Sequence, residues 1–209
     1  MFVARMRAGE NLFNPPFLRA LGAVLEEVEK SDGPAALVTT GVGKFYSNGL
    51  DLGWLAGEGR AKIGPFLAAV HRLFARVLAF PRPTVAALNG HAFAGGAMLA
   101  LAHDFRVMRA DRGFFCLPEV DLRLPLQPGM TALIRARLPG ATAHEALVSG
   151  RRYGGPDAVA RGIAGESLPE EELLPRAIEI AQGLAGKDPA TLVALKRGLH
   201  AEALRVLEA

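Results

Sequence analysis

The chain has one cysteine, Cys116, among 209 residues. No intramolecular disulfide can form, so stability must come from a buried core, and a reducing compartment is the expected setting. Cys116 lies in the apolar run Phe114-Phe115-Cys116-Leu117 and reads as a small buried hydrophobe. No apolar run reaches the ~18 residues that a membrane span requires. Charge of either sign is not in excess: Lys+Arg is 24 and Asp+Glu is 21. A net +3 is too weak to argue for nucleic acid. No basic-then-apolar leader opens the sequence, and Val206-Leu207-Glu208-Ala209 is not a peroxisomal tripeptide. A soluble, cytoplasmic protein is expected, with no nucleic-acid or membrane partner.

Several chemical signatures are also missing. Gly43-Lys44 is followed by Phe45, and Val38 stands where a P-loop has its first glycine. Gly90 to Gly96 lacks the spacing of a dinucleotide fingerprint. The histidines, His71, His91, His103, His144 and His200, form no H-x-x-x-H pair and have no cysteine nearby, so no zinc site is expected. There is no G-x-S-x-G elbow, and Ser47 and Ser149 have no base in local sequence.

What is present suits one domain, since 50% of the residues are hydrophobic. Asn14-Pro15 predicts a helix start, and Phe17, Leu18, Leu21, Leu25 and Val28 continue it to about Lys30. Residues 35–39 and 84–88 read as buried strands, and 66–78 as a helix. Residues 91–102 read as one tightly packed helix entered through a glycine turn. Strands are predicted at 105–108 and 113–117, and helices at 128–138, 143–149 and 156–161. Ser167-Leu168-Pro169-Glu170 reads as a capping box opening a helix to about Leu184, and Asp188-Pro189 caps a last helix. The layout is α/β with a helical C-terminal region.

Two glycine-bearing loops follow buried strands. One is Lys44 to Leu52, and the other is Asn89 to Met98. In open α/β sheets, ligands bind beyond the carboxyl ends of strands. Two such loops can bring backbone N–H groups together as an oxyanion hole, with glycine permitting close approach. The plainer alternative is that Gly49 makes a turn and Gly95-Gly96 allow helix packing.

The combination resembles the crotonase (enoyl-CoA hydratase/isomerase) family. Phe45-Tyr46-Ser47-Asn48-Gly49-Leu50-Asp51-Leu52 looks like its F-x-x-G-x-D-L loop. Pro83 to Ala92 looks like P-x-I-A-A-x-N-G-x-A, Asp104 to Ala110 like D-x-R-x-A, and Pro118-Glu119-Val120-Asp121-Leu122 like P-E-x-x-L. Ser149-Gly150-Arg151, Asp157-Ala158 and Gly162-Ile163 match a later run, so the likeness covers roughly residues 35 to 165. Within the family, the Ser-Asn-Gly-Leu-Asp-Leu loop and Asp111-Arg112-Gly113 look most like peroxisomal-type Δ3,Δ2-enoyl-CoA isomerases. The resemblance implies a ββα spiral over residues 1–165 and a C-terminal helical region of the same domain over 166–209. It also implies a homotrimer or hexamer, an acyl-CoA substrate and no cofactor, since CoA belongs to the substrate. Carried over residue by residue, Glu119 is the catalytic acid/base, and the N–H groups of Leu50 and Gly95 form the oxyanion hole. Ser47, Asn48, Gly49, Asp51, Leu52, Gly96, Met98 and Pro118 surround the substrate. Asp51 is expected to cap or bond within its own loop, and Lys44 to be solvated, with a contact to a CoA phosphate as the lesser alternative.

Hydratases of the family carry a second glutamate where this chain has Met98. Adding water calls for one group to activate it and another to manage the proton delivered to carbon. Moving a double bond from C3–C4 to C2–C3 needs only one base. An isomerase is therefore the expected activity. Another crotonase-type reaction (weak hydratase, thioester hydrolase or decarboxylase) and a non-catalytic acyl-CoA-binding subunit remain as alternatives. Arg123 stands where the family has glycine.

Overall fold

Parallel strands covered on both faces carry unbroken apolar runs instead of alternation. In the computed structural model, which describes residues 1–209, the two runs read as buried strands sit in the middle of such a sheet. It consists of β1 (Phe2–Met6), β2 (Leu37–Gly41), β4 (Thr84–Leu88), β6 (Phe105–Arg109) and β9 (Glu166–Leu168), all parallel, in that spatial order. A second sheet holds β3 (Phe45–Ser47), β5 (His91–Phe93), β7 (Phe115–Cys116) and β8 (Arg152–Tyr153), of which only β7 and β8 are antiparallel. The pairs β2–β3, β4–β5 and β6–β7 each place their first strand in the large sheet and their second in the small one. A helix follows each pair, so the architecture is the ββα spiral, although no repeat is visible in the sequence.

The helices are α1 (Pro15–Glu29), α2 (Leu52–Ala56), α3 (Ile63–Leu78), α4 (Gly95–Ala102), α5 (Glu119–Leu122), α6 (Pro128–Arg137), α7 (Gly140–Ser149), α8 (Gly155–Ala160), α9 (Glu170–Leu184), α10 (Pro189–Leu199) and α11 (Ala201–Leu207). Asn14 caps α1 by accepting from the Phe17 N–H, and Asp188 caps α10 through Thr191. α4 is buried at every position. Its small residues let it thread the interior between β5 and the outer helices. On the other face of the large sheet, Leu173, Ala177 and Ala181 of α9 pack on Ala36, Val38, Val85, Ala87 and Val107.

The structure corrects the sequence at two places. Residues 91–102 are not one helix: β5 ends at Phe93 and α4 begins at Gly95, with Ala94 between them at φ 48°. Ser167 does not cap a helix. It lies in β9 opposite Met108, and Pro169 occupies the N-cap without a side-chain bond. The free edge of β6 takes Glu166–Leu168 as a strand because its backbone groups find ladder partners there, which outweighs the local capping pattern. Residues 166–168 thus complete the large sheet, and the helical region begins at Glu170.

One ion pair ties the C-terminal helices to this frame. Lys196 of α10 is buried and places Nζ 2.7 Å from Asp104 Oδ2 and 2.9 Å from the Phe80 carbonyl. The same Asp104 oxygen accepts from the Thr84 N–H at 2.8 Å, at the start of β4. Removing one partner strands the other charge in the interior. Lys196→Ala is expected to lower the unfolding free energy in urea by about 3 kcal/mol. Asp104→Asn combined with Lys196→Met should recover most of that loss.

Candidate active site

The site is built where the two glycine loops meet. Gly49 has φ 82°, a conformation glycine adopts without cost. A Cβ placed on it would lie 2.8 Å from the Gly95 nitrogen and 2.9 Å from the Phe93 carbonyl oxygen. A Cβ on Gly96 would overlap the Ser47 carbonyl. Both glycines therefore serve close approach of backbone to backbone. Gly95 is the first residue of α4, so its N–H has no acceptor within the helix. The Gly49 carbonyl accepts from Phe13 N–H at 2.7 Å. A trans peptide directs the Leu50 N–H the opposite way. Neither the Leu50 nor the Gly95 N–H donates to an acceptor in a turn, cap or side chain of the protein. Together they can receive one carbonyl oxygen. Ala94, which enters α4 at φ 48° and ψ −119°, carries the backbone strain that this arrangement needs.

Leu50, Ala94 and Gly95 open onto a cavity of about 320 Å³. Its walls are apolar: Leu52 and Leu55 from α2, Ile63 and Leu67 from α3, Met98 from α4, and Leu122, Leu124, Leu126 and Met130 from the chain around α5 and α6. Three polar side chains line it, namely Asn48, Gln127 and Glu119, and only Glu119 can ionise. Glu119 is the first residue of α5, and its Oε2 is buried without a hydrogen-bond partner. Burial pushes its carboxyl up to about 7, against a smaller opposing effect of its own backbone N–H.

The residues singled out from the sequence divide into two groups. Asn48, Leu50, Leu52, Gly95, Met98 and Glu119 line the cavity together. Ser47, Gly49, Asp51, Gly96 and Pro118 do not. Ser47 is fully buried, donates to the Asn11 carbonyl at 2.7 Å and accepts from the Gly49 N–H at 3.2 Å. Asp51 caps α2 through the Trp54 N–H at 2.8 Å and accepts from Asn14 at 3.1 Å. Pro118 is the N-cap position of α5. Lys44 lies over the Phe45 ring, 5.5 Å from its centroid, and does not line the cavity. These residues shape the loop and leave contact with a ligand to others. Arg123, in the family's glycine position, is the left-handed C-cap of α5 at φ 56°, a position that favours glycine.

Sequence reasoning set Leu126 and Gln127 at the border of the acyl pocket but missed Leu55, Ile63, Leu67, Ala94, Leu122, Leu124, Pro125 and Met130, most of which reach the cavity only through how the helices fold over the loops. It also passed over residues 8–14, which lace the first loop in place. Only Asn14-Pro15 signalled order there.

An α/β spiral thus carries an apolar cavity with one ionisable side chain, Glu119, whose Oε2 is buried. The family model for enoyl-CoA hydratase/isomerase matches residues 4–209, and the chain belongs to that family. It is an acyl-CoA enzyme of this family. It is 35% identical over 208 residues to enoyl-CoA delta isomerase 3 of Arabidopsis thaliana, covering 95% of this chain and 87% of that one. It is 37% identical over 160 residues to carnitinyl-CoA dehydratase of Escherichia coli K12, covering 76% and 60% respectively. Among solved structures, a probable enoyl-CoA hydratase, EchA3, of Mycobacterium tuberculosis superposes with a TM-score of 0.90 at 28% identity, covering 98% of this chain and 87% of that one.

The raised Glu119 carboxyl makes stability depend on pH. The folded protein holds the proton up to about 7, whereas an unfolded glutamate releases it near 4.5. The folded state therefore binds more protons between these values, and stability falls as pH rises through them and levels off above about 7. Glu119→Gln should abolish this slope. The variant is expected to match the wild type near pH 4 and to exceed it at pH 8 by on the order of 1–3 kcal/mol in urea titrations.

Proposed function

We propose that this protein is a Δ3,Δ2-enoyl-CoA isomerase with Glu119 as its single proton carrier. The observation behind this reading is that Glu119 is the one ionisable side chain among the sixteen residues that line the cavity. Met98, which stands at the second-glutamate position, is 1% exposed and adds an apolar thioether to the cavity wall.

The reaction follows from these groups. The thioester carbonyl of a 3-enoyl-CoA accepts from the Leu50 and Gly95 N–H groups. The Glu119 carboxylate removes a proton from C2, and the electron pair of that C–H bond moves into a dienolate whose negative oxygen the two N–H groups stabilise. Donors aimed at such an oxygen are each worth about 10²–10³ in rate. The protonated Glu119 then delivers the proton to C4, leaving the double bond between C2 and C3. A carboxyl near 7 suits both halves, because it is neither too weak a base nor too weak an acid at ordinary pH. No cofactor enters. The apolar walls hold the acyl chain and exclude water.

Addition or removal of water is the second reading. It is favoured by Gln127, whose amide can hold a water in the cavity, and by the likeness to a carnitinyl-CoA dehydratase. Assembly as a homotrimer or hexamer also belongs to the proposal, and light scattering of the purified protein tests it.

Purified protein should convert 3-hexenoyl-CoA to 2-hexenoyl-CoA and form no hydroxyacyl product from 2-hexenoyl-CoA, as followed by chromatography. Hydroxyacyl-CoA as the main product would support the second reading. Glu119→Gln should lower kcat by about 10³ or more while binding of a saturated acyl-CoA survives. For the wild type, kcat/KM should rise about tenfold per pH unit below about 7 and level off above it, because the free enzyme reacts with Glu119 ionised.

A further inference from the structure

We infer that Asn11 is a positioning residue for the Leu50 N–H, holding the Gly49–Leu50 peptide so that this donor faces the substrate carbonyl. The inference rests on the oxyanion role proposed above for Leu50 and Gly95. Asn11 is fully buried and lies in the left-handed region at φ 51°. Asparagine tolerates that conformation better than most side chains. Its side-chain amide is used on both sides. Oδ1 accepts from the Ala8 N–H at 2.9 Å, and Nδ2 donates to the carbonyls of Tyr46 at 3.0 Å and Phe45 at 3.3 Å. One residue thus closes its own turn and grips the strand that leads into the loop.

The grip continues to the reacting peptide. The Asn11 carbonyl accepts from Ser47 Oγ at 2.7 Å, and Ser47 Oγ accepts from the Gly49 N–H at 3.2 Å. Two residues on, Phe13 N–H donates to the Gly49 carbonyl at 2.7 Å, and Asp51 N–H donates to the Phe13 carbonyl at 3.0 Å. The peptides on both sides of Gly49 are therefore fixed from the same segment. Gly49 is free to rotate by its nature, so without these bonds the 49–50 peptide could swing and carry the Leu50 N–H away from the carbonyl. The Phe13 bond also polarises that peptide, because an amide whose carbonyl accepts a hydrogen bond is a stronger donor at its N–H. Asn11 does not line the cavity; its side chain acts through the Phe45 and Tyr46 carbonyls of the strand before the loop, and its main-chain carbonyl acts through Ser47 Oγ.

Asn11→Gly keeps the left-handed backbone at low cost and removes the amide. Ser47→Ala cuts the relay and leaves Asn11 intact. The probe is hexanoyl-CoA labelled with carbon-13 at the thioester carbonyl, whose stretching band is read by difference infrared spectroscopy on the full-length protein. In the wild type the bound band should lie below that of the free thioester. In both variants it should return at least halfway to the free position, with Kd changed less than about threefold and kcat lowered on the order of tenfold to a hundredfold. Lys196→Ala, which weakens the fold away from the loop, should leave the band where the wild type has it. A wild-type band in both folded variants overturns the role of Asn11 while the oxyanion reading stands. No displacement of the band in the wild type overturns the oxyanion reading and this inference with it.

Discussion

The structure depends on one contact between main chains. The Gly49 backbone lies against the nitrogen of Gly95 with no room for a side chain between them. Two loops from different strands of the small sheet meet there, and the cavity opens beside the contact, lined by Leu50 from one loop and Gly95 from the other. So close an approach of two main chains needs support on every side. The protein keeps them in place by rigidity on all sides. α4 is packed along its whole length, Ala94 is held in a strained conformation, and residues 8–14 lace the first loop.

The second constraint is the apolar wall around Glu119. An unpaired carboxylate in such a place resists ionisation, and each unit of displacement corresponds to about 1.4 kcal/mol. A displacement to about 7 leaves the group divided between acid and base near neutrality. That balance requires that no second charge share the cavity. A carboxylate at position 98 would repel Glu119 and displace its titration further. Met98 instead adds an apolar thioether to the wall and no second charge.

The elements that were legible in the sequence are those with local causes. Asn14-Pro15 starts α1 where expected because capping acts within one turn, and Thr84–Leu88 reads as a strand because burial on both faces suppresses alternation. Ser167 misled because a capping pattern carries no information about the open edge of β6. The family motifs named Glu119, Leu50 and Gly95, and all three line one cavity. They could not separate Ser47 and Asp51, which bond within their own loop, from Asn48 and Leu52, which line the cavity. In the sequence all four are neighbours, and only the direction of each side chain divides them. Asn11 gave no signal, since its value lies in contacts 34 and 35 residues away.

A single turnover of 3-hexenoyl-CoA in deuterium oxide tests most directly whether one enclosed carboxylate carries the proton from C2 to C4. The 2-hexenoyl-CoA product should contain clearly less than one deuterium at C4, because the Glu119 proton is returned before solvent replaces it. A full equivalent of deuterium at C4 would contradict direct return of the C2 proton by an enclosed carboxyl, because the delivered proton would then have come from solvent, through exchange at Glu119 or through a second donor.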